Sequence, residues 1–267
     1  MGKGKLIVID GLDASGKQTQ VSRIQMLLAN KYGLVYDNDF TTVSFPRYGH
    51  DSAHMVESYL NGKLGLDAES INPYLASMFY AIDRGISFQT EEWGEIYRNG
   101  GLVIADRYYT SNFIHQGSKI IAPYEREYKG INQGILGEYY ALAAFMQTIK
   151  NQETFAGIPV PNHIIFLTTS EEANKKHLEE RSIKENRAKD IHEANTEYMQ
   201  LCRRTLDIYK NYVENSEEKD VSGNYSNNLD IPHTFIEVSD GADYRPVDDI
   251  TEDIMKIIKG YIPIKKG

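Results

Sequence analysis

The feature that most constrains this chain is the run Gly11-Leu12-Asp13-Ala14-Ser15-Gly16-Lys17, placed directly after the apolar stretch Leu6-Ile7-Val8-Ile9 and one acid, Asp10. It is the G-x-x-x-x-G-K phosphate loop in the strand–loop–helix setting that the motif requires. Glycines let the backbone curl so that successive amides face one anion, and the helix that follows adds its positive end. Lys17 would reach the β- and γ-phosphates of a nucleotide as a flexible point charge. The simpler reading, a plain glycine turn before a helix, does not account for the agreement of motif and context. Gln18 stands where the motif has a Ser or Thr that ligates magnesium, and Thr19 follows one place late. A glutamine carbonyl can still touch the ion directly or through water.

Such a loop belongs in a parallel sheet, and the rest of the chain agrees. Apolar, β-branched runs predict strands from Lys5 to Ile9, Thr41 to Phe45, Leu102 to Ala105, His163 to Thr168 and Thr234 to Val238. They are continuous rather than alternating, the pattern of strands covered on both faces. Helices are expected over Gly16 to Asn30, Ser52 to Leu60, Ser70 to Arg98, Gln133 to Gln147, Glu171 to Arg181 and Asp190 to Glu214. A last helix runs from Val247 to Lys259, with Pro246 just before it, where helix starts favour proline. Strand–helix alternation implies βαβ units with right-handed crossovers, and functional residues at the carboxyl ends of the strands. The polar tract Asn215 to Asp230 reads as a surface loop, because a strand and a helix follow it. The expectation is one main domain over 1–267 with a lid at about 175–193.

Composition narrows the partners. A net charge of −9 in 267 residues argues against broad nucleic-acid binding, though not against phosphorylated small molecules. One cysteine, Cys202, excludes an internal disulfide and a multi-cysteine metal site, and fits a reducing compartment. The N-terminal apolar run is too short for a signal-peptide core or a membrane span, so a cytoplasmic protein is expected.

Chemically suggestive residues do follow the strands. After the second comes Phe45-Pro46-Arg47-Tyr48-Gly49, where the fork of Arg47 suits a second phosphate. After the third comes Asp106-Arg107-Tyr108-Tyr109-Thr110-Ser111-Asn112, leading to His115 and Gln116. Asp106 is placed to hold magnesium through water, and Arg107 to neutralise charge on a transferred phosphoryl group. An Asp-Arg pair opening a helix is the bland alternative. Tyr80 and Arg84, four apart, share a helix face and can stack on and bond a base, although aromatics at this spacing are usually core. After the fourth strand, Lys175, Lys176, Arg181, Lys184, Arg187 and Lys189, with Asp190 and Glu193, form either a solvated helix face or a basic lid. The fifth strand offers the Ser239-Asp240-Gly241 turn near an adenine.

Taken together, the segments IDGLDASGKQTQ, FPRYG, FYAIDR, DRYYTSNFIHQG and DIHE resemble thymidylate kinase, a nucleoside monophosphate kinase, in their order and spacing. The resemblance covers the chain from Leu6 to about Lys259. It implies the α/β P-loop NTPase fold with a five-stranded parallel sheet of order 2-3-1-4-5, helices on both faces and a basic lid. It implies transfer of a phosphoryl group from ATP to dTMP with Mg²⁺, and a homodimer. Gly11, Asp13, Ala14, Ser15, Gly16, Lys17, Gln18 and Thr19 would bind ATP. Asp13 would lie near the sugar 3′-hydroxyl, Arg47 and Arg107 around the acceptor phosphate, and Phe45 and Tyr48 beside the acceptor. Tyr80 would stack on thymine, Arg84 bond the base edge, and Ser111 and Asn112 sit near the base. Lys17, Arg107 and Asp106 would act in catalysis, with Asp106 and Gln18 toward the metal.

Some positions depart from the family pattern. Asp10 replaces a glutamate, and His115 replaces an aromatic that crowds the ribose 2′ position. The loop carries no arginine, which makes Arg181 or Arg187 of the lid the candidate for that cation. The segment Glu125 to Gly157 looks longer than its family counterpart. Two alternatives stay open. One is a deoxynucleoside kinase or another P-loop kinase, although the former carries Glu-Arg-Ser rather than Asp-Arg-Tyr. The other is a non-catalytic nucleotide-binding regulator, which Gln18 makes conceivable; no Asn-Lys-x-Asp guanine motif occurs.

Overall fold

The continuous apolar strands build a sheet with two buried faces. The structure, a computed structural model, describes residues 3–64, 70–128, 132–184, 196–215 and 231–263. Strand β1 (Lys5–Gly11) runs at the centre, and its Leu6, Ile7, Val8 and Ile9 are all fully buried. β2 (Phe40–Ser44), β3 (Leu102–Asp106), β4 (His163–Thr168) and β5 (His233–Glu237) complete a parallel sheet of order β2-β3-β1-β4-β5. Ile7 sits between Ile104 and His163, and Ile9 between Asp106 and Ile165, so β1 ends level with its neighbours. All three strand ends therefore open onto the loop that starts at Gly11.

Alternate strand residues feed two layers. Helix α1 (Lys17–Asn30) and helix α10 (Val247–Ile258) cover Ile7, Ile9, Ile104 and Ile165 on one face. The other face, with Leu6, Val8, Val103, Ile164 and Phe166, is covered mainly by α5 (Tyr109–His115), α6 (Gly117–Tyr128), α7 (Asn132–Phe155) and α9 (Thr196–Asn215). Helices α2 (His54–Leu60), α3 (Pro73–Thr90), α4 (Glu92–Arg98) and α8 (Glu171–Lys184) lie around these, and α2 and α3 enclose a smaller core of Val56, Tyr59 and Phe79. A two-stranded hairpin, β6 (Ser239–Asp240) and β7 (Asp243–Tyr244), follows β5 where a simple turn is expected.

The five strands, their order and most helix positions agree with the sequence, with ends shifted by one or two residues. Three differences stand out, the first two with a physical cause in the packing. The helix expected over Ser70 to Arg98 is broken at Glu91, whose backbone is extended (φ −110°, ψ 165°). The break lets Trp93 turn back into the core, where it packs on Phe88 at 5.0 Å and donates from Nε1 to the Ser87 hydroxyl at 3.3 Å. Helices α5 and α6, absent from the sequence reading, meet at Gly117, where a Cβ would lie 2.7 Å from a Leu142 methyl. There the chain passes too close to α7 and α9 for a side chain. Third, α7 continues to Phe155, two turns beyond the expected Gln147. Residues 190–195 of the helix expected from Asp190, and the loop at 216–230, lie outside the described residues.

Gly94 tests the break directly. A Cβ there would sit 1.8 Å from the carbonyl oxygen of Phe88, so α4 can fold back on α3 only without one. Gly94→Ala should lower unfolding stability by about 1–3 kcal/mol, the cost of forcing extra atoms into a packed interior. Urea denaturation checks this; an unchanged midpoint would show that the contact is not needed.

Candidate active site

The phosphate loop forms as its glycines predict. Gly11 adopts φ +148°, and a Cβ there would meet the Leu167 carbonyl oxygen at 2.5 Å and the Ser15 hydroxyl at 2.8 Å. Gly16 caps α1 in the left-handed region at φ +87°. Lys17 folds over the loop and donates from Nζ to the carbonyls of Gly11 at 3.0 Å and Leu12 at 2.8 Å. Burial and the positive charge of Arg107 push its ammonium down to about 8, against the pull of Asp13, Asp106 and Asp10. These carbonyl bonds are weak substitutes for a phosphate, so the ammonium is held close to where an anion would need it.

Asp10 locks this loop to the neighbouring strand end. Its fully buried carboxylate accepts from the Gly11 amide at 2.9 Å, the Ser111 hydroxyl at 2.7 Å and the Thr110 hydroxyl. Ser111, expected near a base, is therefore committed to Asp10. Arg107 leaves β3 in the left-handed region (φ +66°), a conformation that costs a non-glycine residue about 1–3 kcal/mol and collects at functional sites. One end of its guanidinium pairs with Asp13, and the other lies 3.3 Å from His115 Nε2. Burial pushes the Asp13 carboxyl up, but the charge of Arg107, with its hydrogen bond and the charge of Lys17, outweighs it and holds Asp13 well below the ordinary carboxylate range. Asp106 is raised by burial, which Lys17 and Arg107 offset only in part, and its Oδ1 is buried with no hydrogen-bond partner.

These residues open onto a cleft of about 440 Å³ lined by Lys17, Gln18, Thr19, Asp106, Arg107 and Tyr48. On its far side stand His177 and Glu180 of α8, which nothing in the sequence marked. An adjoining cleft of about 260 Å³ shares Gly16, Thr19, His177 and Glu180 and continues to Tyr244 and Arg245 of the hairpin region. Tyr244 donates to the Ala14 carbonyl at 2.9 Å, and its ring meets the edge of His177 at 4.6 Å. The region expected after β5 thus does reach the phosphate loop, through Tyr244 rather than through the turn itself.

The acceptor-side residues are placed less as expected. Phe45 is not exposed to a ligand; it is core, edge-on to Trp93 at 5.6 Å and Tyr108 at 5.7 Å. Arg47 lies outside the cleft lining, its Nε donating to Glu91 at 2.7 Å and its amide to Asp83 at 2.9 Å. Tyr80 is half-buried beside Tyr59, and Asn112 is buried with an unpartnered Nδ2. Arg84 is fully buried, doubly bonded to Glu153 of α7 and stacked 5.6 Å over the Tyr108 ring. Glu91 and Glu153 lie 44 and 69 residues from their arginines, so no local pattern announces them. Arg181 lies on α8, and Arg187 falls outside the described residues.

The Arg84–Glu153 pair makes its own prediction. Glu153→Ala leaves a buried, uncompensated guanidinium and should cost about 3–5 kcal/mol of stability. Replacing both partners (Arg84→Met with Glu153→Leu) should stay within about 1 kcal/mol of the wild type, because no charge is then stranded. Chemical denaturation of the three proteins decides; equal losses in single and double variants would contradict the account.

The chain is similar to known proteins along most of its length. A family model described as thymidylate kinase matches residues 9–125. A protein named thymidylate kinase from Mycobacterium tuberculosis is 27% identical over 206 residues, 76% of this chain and 83% of the relative. A probable thymidylate kinase 1 from Saccharolobus solfataricus is 30% identical over 114 residues, 43% of this chain and 51% of that one. Among solved structures, thymidylate kinase from Candida albicans aligns with a TM-score of 0.57 at 20% identity, covering 97% of this chain and 92% of its own. That from Ehrlichia chaffeensis aligns with a TM-score of 0.54 at 14% identity, covering 96% and 100%. The structures agree with this chain in fold, and the family-model match runs through the phosphate loop and Arg107. In the sequence of its N-terminal part and in its fold, the chain is similar to thymidylate kinases.

Proposed function

We propose that the chain transfers the γ-phosphoryl group of ATP to dTMP, giving dTDP and ADP, as a step in nucleotide biosynthesis. The observation that carries this reading is the convergence of Lys17 and Arg107 from two adjacent strand ends onto one cleft, with Asp13 holding Arg107 across the loop. Two cations spaced along one cleft suit two phosphates. A switch that binds one nucleotide has no use for the second.

In the proposed reaction an oxygen of the acceptor phosphate attacks the γ-phosphorus, and the bond to the β-bridging oxygen breaks to leave ADP. The loop amides from Asp13 to Thr19 and Lys17 cradle the donor phosphates, while Tyr244, on the hairpin side, borders the donor's base. Arg107 lies where charge shifts between donor and acceptor, the position from which electrostatic stabilisation of a loose transition state acts. No group of three or more His, Cys, Asp or Glu among the described residues could hold a metal unaided. Mg²⁺, which takes most of its ligands from water and phosphate, still fits the orphaned Asp106 Oδ1 and the cleft-facing Gln18. Bound there, it would screen charge between the phosphates. Tyr48, Tyr80, Arg84, Asn112 and His115 border the acceptor in this reading, and Arg47 reaches its phosphate only by leaving Glu91. Ser111 and Phe45 are not in the set. Arg181 or Arg187, in a lid over about 175–193, supplies the further cation.

The same reading takes 1–267 as one P-loop kinase domain of the cytoplasm, which binds neither nucleic acid nor membrane. Among the described residues no helix is long and apolar enough to cross a membrane. It also makes the protein a homodimer. Leu75, Met78, Ile82 and Ile86, three and four residues apart on α3, form an exposed apolar stripe that a second copy would cover.

Purified protein with Mg²⁺ and ATP should release ADP in a coupled assay with dTMP, and not with thymidine. Turnover of thymidine alone would favour a deoxynucleoside kinase, and no turnover with any monophosphate would sink the kinase reading. Lys17→Ala and Arg107→Ala should each lower kcat/KM about a hundredfold or more, with little change in unfolding midpoint. Sedimentation should give twice the chain mass, and Ile82→Glu should reduce it to the monomer; a monomeric wild type would remove the dimer.

A further inference from the structure

His115 occupies a position that the sugar-selectivity argument reserves for an aromatic, yet its ring is engaged wholly within the protein. Nε2 lies 3.3 Å from a terminal nitrogen of Arg107, and Nδ1 lies 2.9 Å from the Tyr198 hydroxyl. A guanidinium has donors only, so Nε2 must present its lone pair, and the single proton of the neutral ring must sit on Nδ1. Nδ1–H then donates to Tyr198, against which the imidazole stacks at 6.2 Å, with the Cys202 sulfur 3.8 Å away as a weak second acceptor. Tyr198 and Cys202 are one turn apart on α9 and both are buried, so this side of the ring is fixed by packing.

We propose that His115 is the positioning residue that aims Arg107, held in the Nδ1-protonated neutral tautomer by Tyr198. The guanidinium is then gripped at both ends, by Asp13 from the phosphate loop and by His115 from α5. This rests on the phosphoryl-transfer reading of Arg107, and assigns the residue beside it. It changes the role of position 115 as well. With both ring nitrogens spent, His115 has no polar atom left for a sugar hydroxyl, so it acts through the arginine rather than by reading the ribose. The charged groups around the ring are Arg107, Asp13, Asp10 and Lys17, beside the neutral Tyr198 and Cys202. Burial is the largest influence on the imidazole and, with Arg107, pushes it down to about 4 against the pull of Asp13 and Asp10. A proton on Nε2 would set two donors against each other, so the clamp requires a neutral ring.

Two measurements test the assignment. The nitrogen-15 NMR spectrum of histidine-labelled protein at neutral pH should show His115 with its proton on Nδ1 and a bare Nε2. That is the minor tautomer of free imidazole side chains, so it reports the contact. A ring protonated on Nε2, alone or on both nitrogens, overturns the proposal whatever the protein's activity. In kinetics with dTMP, His115→Phe keeps a ring and removes the acceptor. It should lower kcat about tenfold, the scale of one lost hydrogen bond to a charged group, while leaving KM for dTMP within about twofold. The preference for dTMP over its ribose counterpart should not move. His115→Gln, whose amide oxygen can replace Nε2, should recover kcat to within about threefold of the wild type. A changed sugar preference with unchanged kcat in His115→Phe would instead make position 115 a sugar reader and overturn the clamp. A wild type without turnover removes the phosphoryl-transfer reading, and the tautomer then decides the Arg107 contact by itself.

Discussion

Everything at this site hangs on the carboxylate of Asp10. It is fully buried, and burying an ion without partners costs several kcal/mol, so its hydrogen bonds to Gly11, Thr110 and Ser111 are what make the position tolerable. Those bonds join the start of the phosphate loop to the first turn of α5, which lies beyond the end of β3. Asp13 is three residues past Asp10, and Arg107 is three residues before Thr110. Fixing the two anchors therefore fixes the separation of the pair that bridges the cleft. A glutamate would place its oxygens one methylene further out, and the same donors could reach it only if the loop or α5 shifted.

The charge balance around that anchor explains the resting arrangement. Asp10, Asp13 and Asp106 face Lys17 and Arg107, with Glu180 on the opposite wall. Carboxylates therefore outnumber the cations before any phosphate arrives, which is a poor setting for a polyanion. Lys17 meanwhile spends its ammonium on carbonyls, and Arg107 spends one end on Asp13. Two phosphorylated substrates would add several more negative charges. In the proposed reaction that excess would be met by the basic residues of the lid and by a metal held at Asp106, so the functional reading requires cations beyond the two that the cleft already presents.

The frame of this arrangement was legible in the sequence, because strands buried on both faces must be continuously apolar and because glycines mark positions where a Cβ cannot fit. Asp106 and Arg107 could be placed because they end and follow β3, and Lys17 because the glycine loop after β1 delivers it to the start of α1. What the sequence hid depends on contacts between distant segments. Glu153 and Glu91 become partners of Arg84 and Arg47 only when α7 and α4 pack against α3 and the loop after β2. Ser111 looked like a substrate residue since nothing local reveals that Asp10 lies behind it. Phe45 follows a strand, as Arg107 does, but Trp93 turns back at the Glu91 break and takes it into the core. The lid and its arginines were read from charge alone, and residues 185–193 of that segment lie outside the described residues.

In the proposed reading, helix α3 links recognition to assembly. Its inner face carries Asp83 and Arg84. Asp83 accepts from the Arg47 amide at 2.9 Å and the Ser52 hydroxyl at 2.7 Å, holding the loop after β2, while Arg84 is locked by Glu153. Its outer face carries Leu75, Met78, Ile82 and Ile86, each more than two-fifths exposed. One helix thus bears the residues proposed for the acceptor side on one face and the apolar stripe on the other. Covering the stripe with a second copy, as in the proposed dimer, removes apolar surface from water and restrains the helix along its length. Arg84 and Asp83 are then held from both sides. The base-reading end of the proposed acceptor site would thereby depend on a surface that no substrate touches, whereas the phosphate end depends only on the sheet and Asp10.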